Sequence, residues 1–484
     1  APLADAGISS VSTSSSDEAT TIVGGFARPE ERRMLRIHPQ TRRSFSCPSR
    51  KSARLTRDNP VGRLPTTTSI SNVSLVLECA IENLGRVVAE FQQGVAEVRF
   101  KDGDLAARNG HIYIARHIAA TFTEQAMVLA AAHGHLEMVA YLHNCRSEGT
   151  TVEAMDLAAR YGHLEVVQWL HVHRSEGCTT RAMDGAACNA HIEVLKFLKM
   201  YRAEGATTAA IDSAAANGHL YIIQWLTTNL PALAATTRAM DSAARAGHFD
   251  VVRFLHEARG EGCTVDAMDS AASRGHLEIV KFLHHSRPEG CTTAAMDNAA
   301  SGGHMGVLEF LAENRGEGGT PYAMTLAAWR GRLNVVEWLH DNREEGCTSS
   351  AMNGAAYNGH LEVVKWLNDN RSEGCTTCAM DVSAMHGRLE VLQWLHAHRE
   401  EGCTTNAMDW AAKEGRLDVV RWLHDNRTEG CTEEALDWAA GNGHIDVLRF
   451  LLRRSWVGHS PRAVEWATRN GHQDIVDLLQ ESQH

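Results

Sequence analysis

The feature that most constrains this chain is an internal repeat with a step of 28 residues. Each repeat is marked by a glycine that histidine follows in most copies. From Gly134 onward the step lengthens only once, to 29 between Gly218 and Gly247, and an earlier unit ends its first helix at Gly110. A repeat of this length is one supersecondary unit that buries its apolar face only against its neighbours. The sequence therefore predicts a solenoid and not one globular core. The marking glycines are Gly110, Gly134, Gly162, Gly218, Gly247, Gly275, Gly303, Gly331, Gly359, Gly387, Gly415, Gly443 and Gly471, with Ala190 in the one substituted slot.

Each repeat is predicted to form a pair of helices. We expect Thr180 or its equivalent to cap the first helix, and Gly162 or its equivalent to end it. The alanines of this helix let neighbouring helices approach closely. In the second helix, Leu164, Val167 and Leu170 recur at three-residue intervals, which predicts one face buried against the next repeat.

The repeated segment Ala-Met-Asp-x-Ala-Ala-x-x-Gly-His-Leu-Glu-Val-Val-x-Trp-Leu resembles the ankyrin signature over about residues 100–484. The resemblance implies an all-α, ankyrin-like solenoid of about 13 to 14 helix-pair repeats. Ankyrin repeats usually have a period of 33, so the β-hairpin fingers between repeats are expected to be reduced to short turns. We place the solenoid at residues 71–484, with a degenerate capping unit at 71–100 and a C-terminal capping repeat at 456–484.

The N-terminal residues 1–70 differ from the rest in composition. They are rich in serine and arginine and poor in apolar residues, which predicts a disordered arm. The chain begins at Ala1 with small residues of the kind that commonly follow a removed signal peptide, so we expect secretion.

A short motif in this arm, Arg33-Met34-Leu35-Arg36, follows directly after Glu30-Glu31-Arg32. It resembles the Arg-x-Leu-Arg and Glu-Glu-Arg translocation signals of oomycete effector proteins. That resemblance implies a secreted protein that acts in the host cytoplasm or nucleus, where it binds a host protein and modulates immunity. The alternatives for the motif are a chance match in a basic tail and an organelle transit segment, although the acidic Asp5, Asp17 and Glu18 count against the latter. The alternative for the protein is a cytoplasmic scaffold or substrate-recruiting adaptor that is never secreted.

Charge and hydropathy indicate a protein partner. The formal net charge of −12 argues against a general binder of nucleic acid or acidic membranes, and it predicts that no broad basic face exists. No uncharged apolar run reaches the length of about 20 residues that a membrane helix needs. We expect a monomer that binds neither membrane nor nucleic acid.

Residues that could carry chemistry recur one per repeat, so they do not converge. The histidines fall in two columns, whereas a zinc site needs three or four ligands around one ion. The aspartates of the Ala-Met-Asp segment are predicted to form a hydrogen-bonded ladder that orders the turns. Neighbouring cysteines of the Gly-Cys column are too far apart for disulfides and are expected to be reduced. We therefore predict no enzyme, no metal site and no cofactor. These cysteines are Cys178, Cys263, Cys291, Cys347, Cys375, Cys403 and Cys431.

The positions that vary between repeats are the candidates for binding. The two residues before each marking glycine are the most diverse, and in ankyrin-like proteins these positions lie on the concave face. A large aromatic beside arginine is typical of interface hot spots. The aromatic column Trp410, Trp438 and Trp466 is expected to serve packing instead. The predicted partner-binding residues are Arg160, Tyr161, Trp329, Arg330, Tyr357, Asn358, Met385, His386, Lys413 and Glu414.

Overall fold

A computed structural model describes residues 103–117, 122–145, 151–454 and 460–481. All of them belong to one unit of the chain, which spans residues 83–484. The predicted disordered arm, its translocation motif and the capping unit at 71–100 lie outside the described residues.

The described chain is built from pairs of short helices joined by turns, and it contains no strand within these residues. The first helices of the pairs are α1 (Gly103–Arg108), α3 (Gln125–Ala132), α5 (Glu153–Arg160), α7 (Thr180–Cys188), α9 (Thr208–Ala216), α11 (Thr237–Ala246), α13 (Val265–Ser273), α15 (Thr293–Gly302), α17 (Pro321–Trp329), α19 (Ser349–Asn358), α21 (Cys378–Met385), α23 (Asn406–Lys413), α25 (Glu433–Gly441) and α27 (Pro461–Asn470). The second helices are α2 (Ile112–His117), α4 (Leu136–Cys145), α6 (Leu164–His173), α8 (Ile192–Tyr201), α10 (Leu220–Asn229), α12 (Phe249–Ala258), α14 (Leu277–Ser286), α16 (Met305–Asn314), α18 (Leu333–Asn342), α20 (Leu361–Asn370), α22 (Leu389–His398), α24 (Leu417–Asn426), α26 (Ile445–Arg453) and α28 (Gln473–Glu481). The predicted all-α repeat solenoid is confirmed.

The first helix begins one residue earlier than the sequence analysis predicted. Thr179, and not Thr180, is the N-cap: its backbone is extended, and its Oγ1 accepts a hydrogen bond of 3.1 Å from the N–H of Arg181. Thr180 is wrong as the cap because it already has helical geometry, which turns its hydroxyl away from the free N–H groups.

The predicted glycine ending is confirmed. Gly162 has a φ of +81°, the left-handed conformation in which a glycine carries no steric cost. The N–H groups of Gly162 and His163 donate to the carbonyls of Ala159 and Ala158, which is the hydrogen-bond pattern of a Schellman ending. An added Cβ on Gly162 would also lie 2.4 Å from Nδ1 of His191 in the next repeat.

The core runs along the array between the two layers of helices. In α7 the buried side chains include Met183 and Ala187, and the first helices stack directly on one another. In α6 the predicted buried face is partly wrong. Val166 and Val167 are both buried with Leu170, whereas Leu164 is only half-buried. Two consecutive valines are covered because the helix faces both its partner in the pair and the neighbouring repeats.

The predicted aspartate ladder is confirmed at most junctions, where it links one first helix to the next. Asp409 accepts hydrogen bonds of 2.8 Å from both the N–H and the Oγ1 of Thr432, which is itself the N-cap of α25. We call this arrangement the Asp–Thr clasp. Burial raises the pKa of Asp409, and the two hydrogen bonds from Thr432 oppose that shift. Other clasps join Asp156 to Thr179, Asp184 to Thr207, Asp212 to Thr236, Asp241 to Thr264, Asp269 to Thr292, Asp297 to Thr320 and Asp381 to Thr404.

The turns between repeats carry a second ladder. Arg371 forms an ion pair with Glu373, and Nη1 of Arg371 lies 3.4 Å from Nδ1 of His340 in the preceding repeat. The hydrogen bond from Arg371 lowers the pKa of Glu373 to about 2. The cysteines in these turns are free thiols, as predicted, and burial raises the pKa of Cys263 to about 11.

Candidate partner-binding surface

The two variable positions lie where each first helix ends. In α17 they are Trp329, the last helical residue, and Arg330, which follows it. Because the first helices stack side by side, these positions line up from repeat to repeat. We call this line of residues the variable row.

Aromatic rings lie against one another along part of the variable row. The rings of Trp329 and Tyr357 are 5.8 Å apart between centroids, and those of Tyr357 and His386 are 4.1 Å apart. We call these three residues the aromatic stack. Trp329 lies in α17, Tyr357 lies in α19, and His386 directly follows α21. Trp329 is 44% exposed. An exposed indole held by its neighbours is the kind of anchor that dominates protein interfaces.

A glycine in the next helix makes room for the indole. A Cβ added to Gly354 would lie 3.3 Å from both the Cβ and the Cε3 of Trp329. That separation is tighter than an ordinary van der Waals contact, so a larger residue would push Trp329 away from α19. Gly354 therefore helps to set the position of the ring.

Polar groups of the row fix the backbone beneath the stack. Asn358 Nδ2 donates to the carbonyl oxygen of Trp329 at 3.0 Å, and Arg388 Nε donates to that of Tyr357 at 3.5 Å. Asn189, Asn217, Asn442 and Asn470 make the same link to the preceding repeat. Asn358 thus has a role within the chain besides its predicted role in binding.

His386 is the last of the three rings of the aromatic stack in chain order. Its Nε2 is buried and has no hydrogen-bond partner, and its ring is half-buried. Burial lowers the pKa of His386, and the charge of Arg388 lowers it further. The neutral imidazole is therefore favoured, and it extends the aromatic surface instead of adding charge.

Sequence analysis missed Tyr322, an exposed aromatic residue in the same helix as Trp329. Tyr322 is 67% exposed and precedes Trp329 by seven residues in α17, which places both on one face of the helix after two turns. Leu326 lies between them and is half-buried. The seven-residue spacing between the two aromatic residues is the sequence signal for this face, and it lies outside the variable positions beside the glycines.

The structure divides the predicted binding residues into two groups. Arg160 and Tyr161 lie at the end of α5, six repeats before the stack, where the guanidinium of Arg160 is 6.0 Å from the tyrosine ring. The other group contains the stack with its neighbours in α21 and α23. Its members are Trp329, Arg330, Tyr357, Asn358, Met385, His386, Lys413 and Glu414.

Comparisons with known proteins identify the family. A family model described as "Ankyrin repeats (many copies)" matches residues 240–284, 355–396 and 408–452. A second model, "Ankyrin repeats (3 copies)", matches residues 104–184 and 267–351, and together the matches cover more than half of the chain. The chain is an ankyrin-repeat protein. Ankyrin repeats indicate a protein–protein interaction module and are typically non-catalytic.

A solved structure is also similar to this ankyrin-repeat chain. It is the crystal structure of the pentatricopeptide repeat protein PPR10 from maize, with 10% identity and a TM-score of 0.34. The match covers 86% of this chain and 73% of that one. A score this low carries no argument about function. No curated protein matches the sequence.

Two further features of this ankyrin-repeat chain bear on its chemistry. In the part that the structure describes, no three His, Cys, Asp or Glu side chains lie together where they could hold a metal ion. Within the same residues, no helix has both the length and the apolar character that crossing a membrane requires.

Trp410, Trp438 and Trp466 are half-buried, in keeping with their expected packing role.

Net charge does not show where individual charges lie, so the expectation that no broad basic face exists stays a prediction. At the two variable positions and the residue after each glycine, the described repeats carry ten Arg or Lys and one acidic residue, Glu414. Many of the acidic residues lie instead on the second helices. The basic residues are Arg108, Arg160, Arg245, Arg274, Arg330, Arg332, Arg388, Lys413, Arg416 and Arg469.

Proposed function

We propose that this ankyrin-repeat protein is a secreted effector that captures a host intracellular protein, and that the surface around the aromatic stack makes the contact. Binding to that protein changes its activity, stability or location and thereby modulates host immunity. The protein acts as a monomer in the host cytoplasm or nucleus and carries out no reaction itself.

The observation that supports the binding role is the exposed aromatic surface on α17. Tyr322 and Trp329 are 67% and 44% exposed on one face of a helix that is held on both sides by other repeats. Burying such side chains against a partner removes apolar area from water at about 25 cal/mol for each Å². The position of Trp329 is already fixed by Tyr357 and Gly354, so this side chain loses little conformational entropy on binding.

The binding role can be tested by site-specific photo-crosslinking in host cell extract. A photoreactive phenylalanine analogue replaces Tyr322, and in a matched control it replaces Tyr221, which is 61% exposed on α10. We expect a discrete crosslinked protein from position 322 and none from position 221. Crosslinking of the same protein from position 221 alone would reject the proposed surface.

The motif Arg33-Met34-Leu35-Arg36 supports delivery into a host cell. The second candidate function is a scaffold or adaptor in the organism's own cytoplasm, and a large repeat array suits that role equally well. The two candidates differ in where the protein works, not in how it binds.

Delivery can be tested by replacing Arg33, Leu35 and Arg36 with alanine. We expect the variant to be secreted but absent from the host cytoplasm and nucleus, while its crosslinking from position 322 stays unchanged in extract. Equal entry of both proteins, or retention of the unaltered protein inside the producing cell, would contradict the effector role and favour the scaffold.

A further inference from the structure

The arginines around the aromatic stack differ from those in the turns. Turn arginines such as Arg343 and Arg371 each pair with a glutamate two residues later. Arg332, Arg388 and Arg416 are exposed, and no carboxylate of the described residues lies within ion-pair distance of them. Arg388 Nε donates to the carbonyl oxygen of Tyr357, but the charges of the three guanidinium groups are not paired with a carboxylate of the described residues.

The sequence places these arginines where most repeats have a histidine. The residue after the marking glycine is His304 or His360 in neighbouring repeats, but Arg332, Arg388 and Arg416 in three repeats at or near the stack. At this position His360 packs over Gly331 of the preceding repeat, and Arg388 packs over Gly359 in the same way. Either residue therefore serves the fold, and what arginine adds is a charged guanidinium group on an exposed side chain.

The local electrostatics agree with a concentration of positive charge. Burial lowers the pKa of His360, and the charges of Arg388 and Arg332 lower it further. Glu414 is the only acidic side chain that the variable row carries, and it lies beside His386. The surface thus presents exposed aromatic rings bordered by guanidinium groups.

We propose that this surface binds a polypeptide segment in which an aromatic or large aliphatic residue is flanked by clustered Asp or Glu. The inference rests on the proposed binding role of the aromatic stack and adds the chemistry of the partner. The apolar side chain packs between Tyr322 and Trp329, while the carboxylates accept hydrogen bonds from Arg330, Arg332 and Arg388. Arginine suits this role because its fork of N–H groups binds a carboxylate with two hydrogen bonds.

A polypeptide fits this surface better than a single-stranded nucleic acid does. A nucleic acid would bring a phosphate with every nucleotide, and the first helices also carry the aspartates of the clasps along their length. The net charge of −12 opposes such a polyanion, whereas a short acidic segment needs only the local arginines. Leu326 adds an aliphatic contact that favours a side chain over a stacked base.

The full-length protein can be tested by selecting binders from a phage library of random peptides. We expect the enriched sequences to combine Trp, Phe or Leu with an excess of Asp and Glu. A synthetic peptide of the most enriched sequence should then bind at least about tenfold more weakly to the variant Arg330→Gln, Arg332→Gln, Arg388→Gln. Binding should also weaken as sodium chloride is raised, because salt screens the charges.

The matched control removes three arginines from another part of the variable row. Arg160, Arg245 and Arg274 are also exposed in the variable row, so their joint replacement by glutamine removes the same charge elsewhere. That control should bind the selected peptide as the unaltered protein does. Equal losses in both variants would show a general charge effect and overturn the proposed site.

Three other outcomes would also overturn the inference. They are enriched peptides without excess acidic residues, no enrichment at all, and tighter binding of a polythymidine oligonucleotide than of any selected peptide. The photo-crosslink from position 322 keeps this test separate from that of the proposed function. A crosslink that persists in the triple glutamine variant leaves the binding role intact and rejects only the acidic partner.

Discussion

The repeats from α7 to α15 and those from α17 to α21 share one architecture but are linked differently. At every junction from α7 to α17, an aspartate clasps the threonine that caps the next first helix. In α17 the equivalent residue is Thr325, whose hydroxyl donates to the carbonyl of Pro321 in its own helix. In α19 it is Asn353, which bonds to Thr376 through neutral groups.

The junctions that follow α17 and α19 therefore lack the Asp–Thr clasp. Thr348 still caps α19 by accepting a hydrogen bond from Ser350, so the helix begins at the same position without a clasp. The same two repeats carry Trp329 and Tyr357, whose rings lie against each other across that junction. Ring contacts and Asn358 thus connect repeats that the carboxylate does not, and the substituted residues coincide with the candidate surface.

Replacing a core methionine should have the largest effect. Met183 is buried in α7, so Met183→Ala should lower the free energy of unfolding by about 3 kcal/mol through lost burial and a cavity. Met385 lies in the variable row and is only half-buried, so Met385→Ala should cost less than about 1 kcal/mol. Chemical denaturation of both variants checks the comparison. Equal losses would contradict the division between core columns and the variable row.

Removing a clasp should cost more in the regular repeats than among the substituted ones. Asp409→Ala leaves the N–H of Thr432 without its charged acceptor and should cost about 2 kcal/mol. Asn353→Ala removes a neutral acceptor of Thr376 and should cost about 1 kcal/mol. Denaturation midpoints measure both. A larger loss for the Asn353 variant would show that the clasps are not the stronger links.

Restoring the missing clasp should stabilise the junction between α17 and α19. Thr325 is buried at the clasp position, so Thr325→Asp should supply an acceptor for Thr348 and raise stability by about 1 kcal/mol. Hydrogen exchange of α17 and α19 should slow in the variant. Unchanged or faster exchange would mean that this junction cannot form the clasp and differs from the others in backbone geometry.

Some features of the fold and of the candidate site could be predicted from the sequence, and others could not. The ends of the helices followed from Gly162 and the threonine pair, with an error of one residue at the cap, because local hydrogen bonds decide them. The aspartate ladder was also predictable, because a polar residue that recurs at one helical position meets the same neighbour in every repeat. That neighbour is the cap threonine of the next first helix. The contact between Trp329 and Tyr357 was not, because it depends on the space above Gly354, which only the packing reveals.

Acid should weaken the turns through Glu373. The ordinary pKa of this carboxyl is 4.5, and the hydrogen bond from Arg371 lowers it to about 2 in the folded protein. A lowered pKa gives stability that is present above pH 4.5 and lost as the pH falls towards 2. Glu373→Gln should therefore be less stable than the unaltered protein at neutral pH, by less than about 1 kcal/mol given partial exposure. The difference should shrink between pH 4.5 and 2, and a constant difference would contradict this role.

We expect the repeated columns to hold the array together and the row around the aromatic stack to recognise the partner. The most direct measurement uses the partner protein that crosslinks to position 322. Its affinity is measured for two triple-alanine variants of the ankyrin-repeat chain. Replacing Trp329, Arg330 and Tyr357 should weaken binding by about 2 kcal/mol or more, roughly thirtyfold, with a melting temperature that falls only slightly through the lost ring contact. The matched control replaces Ser273, Arg274 and Ser301, which hold row positions in α13 and α15 or the residue after α13. Its affinity should equal that of the unaltered protein. Unchanged affinity in the first variant, together with loss of binding on deleting residues 1–65, would place recognition in the arm and contradict the account.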